Sequence, residues 1–246
     1  MSGNKLNSDS FSIFMVLLNR SYMEISGEIG PAQRTEYASP EEVETAKNGV
    51  AEFKELLDRS GYRTKRFLTK GGEAADMIQT MFLGLKPVSS IGVRDVGQVE
   101  KISFPERFHF VNGYLYDENL VAKTIRENPD IFSDFTPDAD INFYIEEFLE
   151  TNPDHKDSGE SATRKIGLLH GFPKDAVNAF IKKNAYRSSA SLYPEIQSHG
   201  IQFGIGDSTD EILSFPKKVD QLYKVSGMND VIRQRSFVKS IIRRQF

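Results

Sequence analysis

The sequence predicts an α+β protein that is predominantly helical, with a small antiparallel or mixed sheet in its N-terminal part and a helical C-terminal part. One observation is a capped amphipathic stretch, in which Ser39 and Glu42 form a capping box and apolar residues then recur at helical spacing as far as Leu57. Another is Asn112-Gly113 between aromatic and β-branched residues, the strongest short-range hairpin signal. Amphipathic helical patterns dominate after residue 117.

The N-terminal part, 1–151, is expected to mix helices with short strands. Its apolar segment Phe11–Leu18 is eight residues long, whereas a membrane-spanning helix needs about 20. No small-residue cleavage pattern follows it, so we expect a buried strand or short core helix and not a signal peptide. The pattern then predicts a helix over 39–60, a strand over 62–69, a helix over 73–83 and short strands within 88–104.

The hairpin prediction includes a register. A two-residue turn at Asn112-Gly113 makes Val111 face Tyr114 and places the flanking aromatic residues opposite one another. On that basis His109 is expected to face Tyr116, and Phe110 to face Leu115.

The C-terminal part is predicted to be helical. A helix is expected over 137–150, with Thr136 as its cap. The polar stretch 152–161 is the most linker-like and marks a candidate boundary between 1–151 and a mostly helical part, 160–246, although one continuous domain remains open. The remaining elements are helices near 161–170 and 173–183, a strand at 201–205, and helices near 208–225 and 229–244.

One segment, 164–183, carries a recognisable pattern. The residues that form it are Gly167, Leu168, Leu169, Gly171, Phe172, Pro173, Ala176, Val177, Ala179 and Phe180. They resemble a short stretch in uncharacterised prokaryotic proteins that reads approximately G-L-L-x-G-[FY]-P-x-x-A-V-x-A-F, to which no function is attached. Independently of the resemblance, Gly171 is suited to end one helix and Pro173 to begin the next, which predicts a corner between two packed helices.

Composition excludes several classes of function. Apolar residues make up 39% and charged residues 27% of the 246 residues, as in an ordinary globular protein. The net charge of −4 argues against a dedicated nucleic-acid binder. The sequence has no cysteine, which excludes disulfides, thiolate nucleophiles and thiolate metal sites, and this favours a cytoplasmic location.

No metal and no cofactor are expected. The four histidines, His109, His155, His170 and His199, never stand four residues apart as in a helical zinc pair. The chain has no Walker A motif, and Gly204-Ile205-Gly206 lacks the third glycine of a dinucleotide loop.

Enzymatic chemistry is an alternative interpretation. Asp138 and Asp140 could supply paired carboxylates, and His170 a general acid or base, for a hydrolase or transferase. A calcium loop beginning at Asp138 fails, because Phe143 stands where the loop needs glycine. Acids in the first turn of a helix also favour its dipole, which explains both aspartates without any ligand.

The leading hypothesis is a non-catalytic binding or regulatory protein that uses a basic amphipathic C-terminal helix. In the segment 228–246, the apolar residues share one arc of a helical wheel, and the cations Arg233, Lys239, Arg243 and Arg244 lie outside it. An acidic protein is the partner that this charge favours. The segment 130–160, which contains ten acids and one lysine, is an internal alternative to which the tail could pack.

A third hypothesis is binding of single-stranded RNA. A second basic stretch contains Arg59, Arg63, Lys65, Arg66 and Lys70, and its cations could hold phosphates. Glu73 and Asp76 follow closely and weaken this interpretation. RNA binding requires the basic stretches to line one groove beside exposed aromatic side chains.

Overall fold

The computed structural model describes residues 37–136, 138–152, 159–185, 195–198, 201–204 and 210–232. Its elements in chain order are α1 (Pro40–Arg59), α2 (Tyr62–Lys70), α3 (Glu73–Phe82), β1 (Val88–Ser90), α4 (Val93–Val99), β2 (Phe108–Val111), β3 (Tyr114–Asp117), α5 (Glu118–Glu127), α6 (Ile141–Thr151), α7 (Glu160–Leu169), α8 (Lys174–Ala185), β4 (Glu195–Ser198), β5 (Ile201–Gly204) and α9 (Asp210–Val225). The predominantly helical α+β class is therefore confirmed.

The predicted hairpin forms with the expected register. Strands β2 and β3 pair antiparallel with His109 opposite Tyr116, Phe110 opposite Leu115 and Val111 opposite Tyr114. The turn places Asn112 at φ 49° and Gly113 at φ 82°, the left-handed conformation that these two residue types tolerate best. Strand β1 adds to the other edge of β3, so the small sheet in the N-terminal half has the order β1-β3-β2.

Helix α1 also begins as the sequence predicts. The Ser39 side chain accepts a hydrogen bond from the Glu42 amide, and the Glu42 carboxylate accepts one from the Ser39 amide. This completes the capping box and satisfies amides that the helix itself leaves unpaired. The buried face of α1 consists of Ala46, Gly49, Val50, Phe53, Leu56 and Leu57.

One predicted element is wrong, and two others are correct only in part. Residues 62–70 form a helix and not a strand, because Phe67, Leu68 and Thr69 pack at its C-terminal end and the Gln79 side chain donates to the Leu68 carbonyl at 2.8 Å. Tertiary packing thus overrides the weak helix propensity of the segment. Within 88–104 the structure has one short strand, β1, followed by the helix α4.

The third correction concerns the start of α6. The helix begins at Ile141 and not at 137, since Asp140 is its N-cap and accepts hydrogen bonds from the amides of Asn142 (2.8 Å) and Phe143 (3.2 Å). The backbone carbonyl of Thr136 instead accepts a hydrogen bond from the Ala139 amide in a turn before the helix.

In the C-terminal half, α7 and α8 meet at a corner. Gly171 adopts φ +79° immediately after α7, and α8 begins at Lys174. Gly167 lies against Val177, where a Cβ would come within 3.0 Å of the valine Cγ1, so small residues allow the two helices to pack closely. The predicted strand near 201–205 is present as β5, which pairs with a further strand, β4.

Buried residues from both halves of the chain form the core. One cluster contains Phe53, Ile78 and Phe82 together with Val219 and Leu222 of α9. A second cluster surrounds Tyr116 and extends to α5, α6, α7 and α8. The described residues include no helix that is long and apolar enough to span a membrane. The segment Phe11–Leu18, the residues of the linker 153–158 and the tail from 233 lie outside the described residues.

Candidate functional site

Helix α2 presents a row of cations on its exposed face. Arg63, Arg66 and Lys70 are all exposed and are separated by three and four residues, which places them on one side of the helix. At a rise of 1.5 Å per residue they are separated by about 4.5 Å and about 6 Å along the axis. Lys65 is half-buried, and its ammonium lies 3.5 Å from the Asp58 carbonyl oxygen.

The opposite wall comes from α4 and the residue pair after it. Asp95, Gln98 and Lys101 follow one another at intervals of three residues. Together with α2 they line an open cleft of about 810 Å³, called the basic cleft below, whose lining residues are Tyr62, Arg63, Thr64, Arg66, Phe67, Lys70, Gly71, Asp95, Gln98 and Lys101. Four cations and one carboxylate line this cleft, so its potential is positive.

The cations of the basic cleft differ from the ion-paired lysines and arginines elsewhere in the described part of the chain. Within the described part of the chain, Arg63, Arg66, Lys70 and Lys101 make no ion pair and no side-chain hydrogen bond. Among the residues that the structure describes, no carboxylate neutralises these four charges by direct contact. Arg59, at the end of α1, is different, because its guanidinium donates to the Ser103 carbonyl at 2.8 Å.

The start of α2 adds to the positive potential. Its N-cap is Gly61, which offers no side-chain hydrogen bond, and its first turn contains no acid. Arg63 stands in that turn, where the helix dipole disfavours a cation. The local sequence thus places positive charge where helix stability alone would place Asp, Glu or Ser.

An aromatic side chain stands beside these cations. Tyr62 is 56% exposed, which is unusual for a large hydrophobic side chain in this structure. It precedes Arg66 by four residues and so shares its face of α2. The sequence indicated Lys70 as part of the basic stretch. It did not indicate Tyr62, because 62–69 was interpreted as a strand, or Lys101, because 88–104 was interpreted as strands. The helical spacing of Tyr62, Arg66 and Lys70 was the available signal.

A second groove, called the central groove, has balanced charge. It measures about 490 Å³ and is lined by parts of α1, α5, α9 and the corner between α7 and α8. Its lysines are ion-paired: Lys123 lies 3.5 Å from Glu41 and 3.8 Å from Glu127, and Lys218 pairs with Glu42. Burial alone would raise the pKa of Glu42, but hydrogen bonds from Lys218 and Ser39 outweigh it and lower the pKa overall.

The residues considered for catalysis lie in a turn, at a helix cap and at the end of a helix. Asp140 caps α6 and is exposed, and Asp138 is exposed in the turn before it. His170 is buried at the C-terminal end of α7, where its amide donates to the Ile166 carbonyl and its ring stacks on Phe172 at 6.2 Å. No group of three or more His, Asp or Glu among the described residues is arranged to hold a metal ion.

A partly buried ion-pair network surrounds Arg107. Its Nε donates to Asp117 at 2.7 Å, its Nη1 contacts Glu52, and its guanidinium lies over the Phe108 ring at 4.7 Å. Asp117 also caps α5 by accepting from the Leu120 amide at 3.2 Å. Burial raises the pKa of Asp117, although Arg107 acts to lower it. Since these donors and acceptors satisfy one another, the network holds the hairpin to α1 and α5.

A buried ammonium anchors the loop before α6. The Lys165 Nζ lies 2.6 Å from both carboxylate oxygens of Asp134 and between 5.7 and 6.0 Å from the ring centroids of Phe132, Tyr144 and Phe148. This cation–π contact and ion pair fix the loop to α7. Burial acts to raise the pKa of Asp134, but the hydrogen bond from Lys165 outweighs it and the pKa is lowered.

Another buried lysine precedes β1. Lys86 is 3% exposed, and burial lowers its pKa to about 8, although the nearby Glu73 carboxylate acts to raise it.

Comparison with known proteins indicates no function for any of these features: no protein-family model, no curated protein and no solved structure matches the chain.

Proposed function

We propose that this chain is a non-catalytic binding protein and that the basic cleft between α2 and α4 binds an anionic partner. The observation that carries the proposal is a row of cations, Arg63, Arg66 and Lys70, which have no ion pair among the described residues and line the same open cleft as Lys101. Charges arranged in this way attract an anion and accelerate its association. A cytoplasmic location is part of the proposal and is supported by the lack of cysteine.

The basic tail remains a second surface for the same function. Arg233, Lys239, Arg243 and Arg244 lie outside the described residues, so their contribution is supported by the sequence pattern alone. An acidic protein would be the natural partner for such a helix. The cleft and the tail are therefore compared in one experiment.

Retention on a heparin column tests the proposal with the full-length protein. We expect Arg63→Glu/Arg66→Glu to elute at clearly lower salt than the wild type, because both cations line the cleft. The double variant Lys54→Glu/Lys182→Glu is the matched control, since it reverses two exposed lysines that do not line the cleft and changes the net charge equally.

A variant of the tail separates the two surfaces. If replacing Arg233, Lys239, Arg243 and Arg244 by Gln lowers retention while Arg63→Glu/Arg66→Glu does not, the partner binds the tail and the cleft is not the site. Equal elution of the cleft variant and its matched control would contradict the proposal for the cleft. Circular dichroism of each variant confirms that the fold is retained.

A further inference from the structure

From the same cleft we infer that the anionic partner is a single-stranded nucleic acid, and that Tyr62 stacks on one of its bases. This inference rests on the proposed function, because it requires the basic cleft to be the binding site. The geometry points to nucleic acid because the cleft combines three kinds of group on two walls, and each kind matches a different part of a nucleotide.

The α2 wall matches the phosphates. Arg63, Arg66 and Lys70 lie in a row whose axial spacing is about 5 Å per cation, so successive phosphates of one strand can contact successive side chains. Arginine is well suited to this, since its planar guanidinium donates two parallel hydrogen bonds to a phosphate. Lys101 supplies a further cation on the other wall.

The aromatic group matches a base. Tyr62 is 56% exposed and lines the same cleft as Arg66, one helical turn away. Aromatic side chains beside cations are the usual platform for unpaired bases, because every base has a face on which a ring can stack. An acidic peptide would be held by the cations but would have no use for an exposed tyrosine ring.

The α4 wall matches base edges. Gln98 is exposed on this wall and offers an amide that can both donate and accept hydrogen bonds. Asp95, which is half-buried, can accept a hydrogen bond from an exocyclic amino group. Asp95 would only repel a purely anionic ligand, whereas it can recognise a base. The bases of a duplex are paired and stacked, so a single strand suits these groups better.

Fluorescence anisotropy with labelled oligonucleotides tests the inference. The probes are a mixed-sequence RNA of about 12 nucleotides, DNA of the same sequence, the corresponding duplexes, and a poly-glutamate peptide. We expect the single strands to bind more tightly than the duplexes and the peptide. With four phosphates neutralised, the logarithm of the binding constant should fall with the logarithm of salt concentration with a slope of about −3. Tighter binding of RNA than of DNA would identify RNA as the ligand, and equal binding would identify single strands of either kind.

Variants of Tyr62 distinguish stacking from simple charge attraction. We expect Tyr62→Ala to weaken single-strand binding by about fivefold or more and Tyr62→Trp to restore it. Phe143→Ala is the matched control, because Phe143 is 70% exposed and does not line the cleft.

The outcomes separate this inference from the proposal on which it rests. If Arg63→Glu/Arg66→Glu weakens binding of every polyanion but Tyr62→Ala has no effect, and the duplex or the peptide binds as well as the single strand, the ligand is not single-stranded nucleic acid although the cleft still binds anions. If the double variant changes no binding at all, the proposed function and the inference both fail.

Discussion

Helices α1 and α3 cross at Gly49, and replacing this glycine by alanine is expected to destabilise the protein strongly. A Cβ on Gly49 would overlap the carbonyl oxygen of Phe82 and lie 2.7 Å from its carbonyl carbon, whereas ordinary contacts begin at 3.4 Å. Neither atom can rotate away, since both belong to the backbone at the end of α3. The helices would therefore have to separate by about 1 Å or more, which would also loosen the contact between the Phe53 and Phe82 rings, now 5.2 Å apart.

Two opposing effects decide the magnitude. Alanine is the better helix former by about 1 kcal/mol, so a rule based on the helix alone predicts that Gly49→Ala stabilises. Overpacking of a well-packed core typically costs about 1–3 kcal/mol, and a clash between two backbones lies at or above the upper limit. The expected net effect is a loss of about 2–3 kcal/mol in the free energy of unfolding, which corresponds to a melting temperature lower by about 5–10 °C.

Urea and thermal unfolding measure this effect. Because the chain has no tryptophan, far-ultraviolet circular dichroism and tyrosine fluorescence are the suitable signals. Gly97→Ala in α4 is the matched control: its Cβ would meet nothing within 4 Å, so it should stabilise by about 0.5–1 kcal/mol. If Gly49→Ala were as stable as Gly97→Ala, α1 and α3 could not approach as closely as the structure shows.

Three further predictions concern charge. Between pH 8 and the ordinary lysine value of 10.5 the unfolded chain binds more protons at Lys86 than the folded chain, so the free energy of unfolding should rise with pH. In urea titrations from pH 7 to 9.5, Lys86→Met should abolish this rise and should increase the free energy of unfolding at pH 7 by up to about 3 kcal/mol. An unchanged pH dependence would show that Lys86 is not the group responsible. Gly61→Ser supplies the missing cap of α2, and Arg63→Glu relieves the repulsion between a cation and the helix dipole. We expect each change to raise the free energy of unfolding by about 0.5 kcal/mol. Only Arg63→Glu should also weaken retention on heparin, and loss of stability in both would contradict the account of the start of α2. Asp134→Asn should lower the free energy of unfolding by about 2 kcal/mol, because it leaves the buried Lys165 ammonium without its carboxylate. The double variant Asp134→Asn/Lys165→Met should recover most of that loss. A double variant no more stable than Asp134→Asn would mean that the ion pair is not the cause.

The sequence indicated the basic stretch but not the cleft. It identified Arg63 and Arg66 as candidate binding residues, and both line the basic cleft. It could not identify Lys101, because the opposite wall lies about 35 residues farther along the chain and the interval 88–104 was interpreted as strands. It also offered Asp140 as a weak catalytic candidate for the alternative function; the structure shows that this carboxylate caps α6, a contact that depends on where the helix begins.

Local signals determined those elements whose stability is local. The capping box at Ser39 and the Asn112-Gly113 turn are formed by residues next to one another in the chain, so the sequence alone predicted helix α1 and the hairpin register. Only the tertiary structure decided the rest. Residues 62–70 are helical because their apolar end packs on α3, and Gly49 and Gly171 are needed because a second backbone approaches them. The basic cleft has the same origin, since packing brings two short helices with weak individual signals together and leaves their polar faces opposite each other.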